Sequence, residues 1–311
     1  MILYHVFYLL RHRRKTLKTN IGLYLALLFG VFSLSTSAIF VRLANAPSAI
    51  TAFFRLFFAA LILLPFLLSS KQNKRQLLSL SKKQWMFGIL SGLLLSAHYM
   101  LWFESLRHTS VASSTVIVTL QPLFSIAIGY VFLKERFHKL AIGGCVIAIM
   151  GCFMIGWGDF QISSQALFGD LLALLAAGII SLYFFIGQAV RKELSAVPYS
   201  VISYLSSSVF LGCYALIEGN PFTGYSSATW MAFGGLALIS TVFGQFIFNW
   251  LLKWIPATVI SMSILGETIG TCILAYFILN EAISLQQGMG IATILSGLVL
   301  FFLSPPIHRN R

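Results

Sequence analysis

Apolar stretches of roughly 20 residues recur along this chain, the length that carries a helix across the hydrocarbon core of a bilayer. Ten fit the pattern: 21–41, 47–68, 84–104, 111–133, 138–158, 168–188, 198–217, 228–251, 256–280 and 282–303. Polar residues gather in the short connections between them, which leaves no room for a separate soluble domain. The pattern predicts an all-α integral membrane protein with ten transmembrane helices.

The pattern also repeats. Leu106-Arg107-His108-Thr109-Ser110-Val111-Ala112 returns 146 residues later as Leu252-Lys253-Trp254-Ile255-Pro256-Ala257-Thr258. The same offset relates Tyr130-Val131-Phe132-Leu133-Lys134-Glu135 to Tyr276-Phe277-Ile278-Leu279-Asn280-Glu281. It also relates Gly144 to Gly290 and Gly151 to Gly297. The chain divides into a basic N-terminal segment 1–20, a first five-helix unit 21–158, a second unit 168–303 and a tail 304–311. An odd number of spans per unit turns the second unit upside down in the membrane. Inverted repeats of this kind build alternating-access transporters, with the substrate site near mid-membrane between the halves.

Composition agrees with the class: 58% of residues are hydrophobic and 9% are charged. A formal charge of +13 could suggest nucleic acid, but the charges lie in the connections and read as an orientation signal. Eighteen Lys and Arg fall outside the spans on one side, against Arg42 and Arg107 on the other. The positive-inside rule then places both termini in the cytoplasm. The four cysteines, Cys145, Cys152, Cys213 and Cys272, fall inside spans without CxxC spacing and read as buried packing residues. Met1–Leu10 is apolar but too short to span, and the basic run Arg11, Arg13, Arg14, Lys15 and Lys18 follows it. A signal peptide has the opposite order. The segment is an interfacial anchor or an over-extended start. The glycines Gly144, Gly151, Gly290 and Gly297 lie seven apart on the fifth and tenth helices, where small residues allow close helix approach, within the chain or in a homodimer.

Ser48-Ala49-Ile50-Thr51-Ala52-Phe53-Phe54-Arg55-Leu56 with Ala59-Ala60 and Pro65, then Leu106–Ala112, Gln121-Pro122 and Leu133-Lys134-Glu135-Arg136, form an ordered set of motifs. Leu279-Asn280-Glu281 is the second copy of the last. In that set the sequence resembles the EamA-like family of the drug/metabolite transporter superfamily. The resemblance covers about residues 21–303. It implies a ten-helix fold of two inverted repeats around a central cavity. It also implies export of metabolites, amino acids or amphiphilic compounds across the bacterial cytoplasmic membrane. The second copy departs from the first, with Glu267 for Gln121 and Thr268 for Pro122.

Ionisable groups at membrane depth are costly and mark function by default. Glu267 sits about 11 residues into its helix, roughly 17 Å, near the midplane. Its repeat mate Gln121 shares that depth. Glu267 reads as a proton-coupling carboxylate or a ligand for a substrate amine; the alternative is a structural acid held by Ser261, Ser263 or Thr271. Arg55, about eight residues into the second helix, could bind a carboxylate, snorkel or lock packing. His98, Tyr99 and Trp102 give the third helix an aromatic, polar face suited to a cavity wall, or to an aromatic belt beside Glu104. Tyr99 maps onto Gln245, with Asn249 four residues on. Ser33, Ser37, Tyr183 and Gln188 are weaker candidates, since serines commonly bond back to their own helix. Pro122, placed mid-helix, is a hinge or a passive kink, whereas Pro256 opens its helix.

These readings point to a secondary active transporter: a proton-coupled exporter of a small molecule, embedded in lipid, with no cofactor and no nucleic acid. An energy-uncoupled facilitator of the same fold and a non-transporting sensor remain alternatives. No HExxH, GxSxG or phosphate-binding glycine loop supports an enzyme or ATP drive, and Asp159 and Asp170 stand alone.

Overall fold

The structure is a computed structural model. It describes residues 2–109, 111–156, 164–279, 283–305 and 308–309. The first half contains α1 (Ile2–Leu43), α2 (Ser48–Ser69), the short α3 (Lys71–Leu78), α4 (Lys82–His108), α5 (Val111–Val118), α6 (Gln121–Leu133) and α7 (Lys139–Gly156). The second contains α8 (Ser164–Val190), α9 (Ala196–Ile217), α10 (Ser227–Gly235), a π-helical segment (Leu236–Gln245), α11 (Phe246–Leu251), α12 (Ala257–Leu279) and α13 (Leu285–Leu303). Two-residue strands β1 (Glu135–Arg136) and β2 (His308–Arg309) pair antiparallel, joining the α6–α7 connection to the tail.

Nine helical stretches among the described residues are long and apolar enough to cross a bilayer, and Lys139–Ile155 is a shorter apolar helix. The protein is therefore an all-α, multi-pass membrane protein. Side chains such as Leu28, Phe132 and Ile217 stay more than half exposed because their solvent is lipid. Helix starts follow local chemistry. Ser81 with Gln84 and Ser284 with Gln287 form capping boxes at α4 and α13, and Ser226 caps α10.

The most extensive helix pair is α7 on α13. A Cβ added at Gly144 would stand 2.6 Å from the Gly297 carbonyl oxygen, and one at Gly151 would stand 2.7 Å from that of Gly290. The two backbones touch, so only glycine fits. The contact is reciprocal: Gly144 faces Gly297 while Gly151 faces Gly290. Cys145 and Cys152 lie buried in the same cluster, whereas Cys213 faces outward, unlike the buried packing residue expected from the sequence. Elsewhere α4 packs on α8 and α9, α2 on α9 and the π segment, and α1 on the π segment and α12.

Two expectations about helix shape are corrected. The fourth apolar stretch is not one kinked helix with Pro122 in its middle. It breaks into α5 and α6 at Thr119–Leu120, and Pro122 is the second residue of α6, where its missing N–H costs no hydrogen bond. The eighth stretch is not a regular α-helix, because ten of its residues are π-helical. Asn280, Glu281 and Asp159, singled out by the repeat and by charge, lie outside the described residues.

Candidate transport site

Ser37 on α1, Arg55 on α2, and His98, Tyr99 and Trp102 on α4 meet Gln121 on α6, Gln245 of the π segment and Glu267 on α12 around one central cavity. Leu34, Thr115, Val118, Ile180, Phe184 and Ile264 fill its apolar wall. The cavity measures about 40 Å³. At about 10–15 Å³ per ordered water, that is room for roughly three waters.

Arg55 is fully buried. Its Nη1 donates to Ser37 Oγ at 2.6 Å and its Nε to Thr241 Oγ1 at 2.9 Å, while its guanidinium carbon lies 4.5 Å from the Tyr99 ring centroid. Two neutral oxygens and an aromatic face thus hold the charge in place of a carboxylate. The π segment contributes to this directly. Thr241 Oγ1 donates to the Leu236 carbonyl five residues back, which leaves its oxygen turned to Arg55. Among the described residues, the third nitrogen of Arg55, Nη2, has no hydrogen-bond partner. Trp102 Nε1 and Gln245 Nε2 are also buried without a partner among them.

Glu267 faces these donors. None of the three side chains expected to hold it does so. Ser261 Oγ accepts from Gln121 Nε2 at 2.9 Å and from Ser125 Oγ at 2.7 Å. Ser263 and Thr271 donate to the carbonyls of Val259 and Ser35. Glu267 and Arg55 border the same cavity and sense each other's charge without forming an ion pair. Gln121 is braced as well, since Ser181 Oγ donates to its carbonyl at 3.0 Å. His98 Nδ1 donates to the Ala176 carbonyl at 3.0 Å, which fixes its tautomer, and its ring stacks on Trp102. Trp102 is buried and lines the cavity, while Glu104 bonds to Arg107 and His108 at the helix end.

Asn249 does not line the cavity. Its amide straddles the Tyr183 hydroxyl, with Oδ1 accepting at 3.0 Å and Nδ2 donating at 2.8 Å. Nδ2 also donates to Ser200 Oγ and Tyr204 OH. Arg191 caps the end of α11 by donating to the Asn249 and Trp250 carbonyls, and burial lowers its guanidinium to about 10, still protonated near neutrality. Gln188 Oε1 accepts from the Ala257 N–H at 2.7 Å. Ser33 is buried outside the cavity, and Asp170 accepts from Ser113 Oγ. The sequence reading missed this polar floor on α9. Its signal is visible in Tyr199, Ser200, Ser203, Tyr204, Ser206, Ser207 and Ser208, crowded into an otherwise apolar span.

Fold and cavity together define a multi-pass helical membrane protein built around a polar centre. The model of the EamA-like transporter family matches twice, over residues 20–157 and 167–303, and the chain belongs to that family. It is a membrane transporter by family. Its relatives include YoaV of Bacillus subtilis (strain 168), named an uncharacterized transporter, 25% identical over 84% of this chain and 89% of the relative. An uncharacterized transporter of Archaeoglobus fulgidus is 23% identical over 88% of this chain and 94% of its own. A solved crystal structure with 17% identity shares the fold at a TM-score of 0.73, covering 90% of this chain and 96% of that one.

Proposed function

We propose that this protein is a secondary active transporter, a proton-coupled exporter of small metabolites, amino acids or amphiphiles across the bacterial cytoplasmic membrane. The observation that carries the reading is the Glu267 carboxyl group bordering one cavity with three buried donors that have no partner among the described residues: Arg55 Nη2, Trp102 Nε1 and Gln245 Nε2. Unsatisfied buried donors are costly, and a ligand acceptor such as a carboxylate relieves them. Glu267 offers the complementary place for a substrate ammonium or a proton. A small zwitterion with an apolar or aromatic body satisfies both sets against the walls formed by Tyr99, Trp102 and Phe184.

The segments matched by the family model are, in this reading, two inverted five-helix repeats with cytoplasmic termini, α7 being the fifth span. The reciprocal Gly144–Gly297 and Gly151–Gly290 contacts support it, because a pseudo-two-fold axis pairs each position with the other's mate. Hydrogen bonds of Gln188 with Ala257, Tyr183 with Asn249 and Glu135 with Thr258 close the end of the bundle that carries Arg191. The charge distribution supports a cytoplasmic placement of that end. Alternating access then consists of breaking this closure and widening the cavity around the substrate.

The test is comparative metabolite profiling of the growth medium of cells that produce the wild type or Glu267→Gln at matched membrane abundance. A compound enriched outside only by the wild type supports export and the role of Glu267. Profiles that match an empty-vector control for both proteins refute export.

A further inference from the structure

Between α6 and α7 the structure holds a second cleft, of about 930 Å³, that shares no residue with the central cavity. We propose that it binds an anionic phospholipid, with the phosphate on Lys134 and Arg136 and an acyl chain along Ile126, Tyr130, Val131 and Ile142.

Position is the first argument. The span Ser113–Leu133 ends one residue before Lys134, so the two basic side chains stand at headgroup level while the apolar wall runs into the hydrocarbon. Tyr130 and Val131 are 66% and 64% exposed, and lipid is what contacts them.

Backbone geometry is the second. Lys134 is the one non-glycine with positive φ, 53°, among the described residues. It ends α6 with its N–H donating to the Gly129 carbonyl. That left-handed turn favours glycine, and a lysine there is held at a cost. The turn alternates the side chains of β1. Glu135 is buried, with its carboxylate accepting from Thr258 Oγ1 at 3.0 Å, while Lys134 and Arg136 remain exposed at the cleft. Glu135, the one acid among the described residues that line the cleft, is thus engaged with α12.

Charge decides the headgroup. Two cations over an apolar groove suit a phosphate diester that carries a net negative charge. A zwitterionic headgroup brings an ammonium toward the same cations, and free phosphate makes no use of the groove.

The experiment is native mass spectrometry of the full chain, titrated with phosphatidylglycerol, phosphatidylcholine or inorganic phosphate. The wild type is expected to retain phosphatidylglycerol in preference to phosphatidylcholine. Lys134→Gly with Arg136→Gln is expected to weaken that binding about thirtyfold, two cations at ~1 kcal/mol each. Glycine suits the left-handed turn, so this variant keeps the fold. Ala127→Trp, which intrudes on the apolar wall and leaves both charges in place, is expected to weaken the same adduct. Equal retention of the two lipids, competition by inorganic phosphate alone, or wild-type binding by both variants would overturn the proposal.

Discussion

The two halves of the molecule reach the same cavity by different backbones. In the first half the span that carries Gln121 is broken at Thr119–Leu120, whereas the span that carries Glu267 at the equivalent position runs unbroken from Ala257 to Leu279. One span earlier the contrast reverses. The helix that presents Tyr99 is regular, and its counterpart that presents Gln245 is π-helical for ten residues. Each half keeps one continuous helix and distorts the other. The first half offers a neutral amide beside the break. The second places a carboxyl group on an unbroken helix and uses its irregular segment to turn Thr241 toward Arg55. The two segments that the family model matches thus differ in where they carry charge and where they carry helix irregularity.

That division can be tested, beginning where the largest effect is expected. Glu267→Gln should abolish proton-driven transport while insertion and folding stay intact, measured by substrate efflux with and without an imposed pH gradient. Unchanged proton dependence retires Glu267 as the coupling group. Arg55→Leu should come next. It removes two charge-assisted hydrogen bonds at roughly 1.5–3 kcal/mol each in gross terms and leaves Thr241 turned toward an apolar side chain. The expected outcome is loss of transport together with a lower melting temperature in detergent. Loss of transport at an unchanged melting temperature would mean that Arg55 serves only the ligand. Gln121→Ala should have a smaller effect, changing apparent substrate affinity by about tenfold, the worth of one hydrogen bond of ~1.4 kcal/mol, with expression level little altered. Poor expression with normal affinity would assign Gln121 to its packing with Ser261 and Ser181. Pro122→Ala should change least, by under about 1 kcal/mol in stability, because the proline lies in the first turn of α6 and removes no helical bond. A large effect there would restore the mid-helix hinge.

Much of this site was legible in the sequence for a simple physical reason. In an apolar span, Arg55, His98, Gln121, Gln245 and Glu267 have few places to go except the interior, and the 146-residue offset set Gln121 level with Glu267 and Tyr99 level with Gln245. Asn249 shows the limit of that reasoning. It shares a face with Gln245 but lies one turn further along, below the cavity, where α8 and α9 supply Tyr183, Ser200 and Tyr204. Periodicity gives a face and not a neighbour. The π segment left no trace in the pattern, because Leu236–Gln245 is as apolar as the α-helical α9 and its distinction lies in which carbonyl each N–H reaches. The break before Gln121 was visible as Pro122 but misplaced, since proline marks the start of α6 more readily than a bend within it.

The size of the central cavity sets what kind of discrimination the protein can exercise. A space of about 40 Å³ has no outline to match against a metabolite. Under the proposed transport role, a substrate does the work of parting the helices before it is fully enclosed, and only a molecule that returns that work at Arg55, Gln245 and Glu267 is carried further. Recognition is then a matter of rates: a poor substrate is one that fails to open its own site. A ligand that held the widened site open by fitting it too well would stop the cycle and act as an inhibitor.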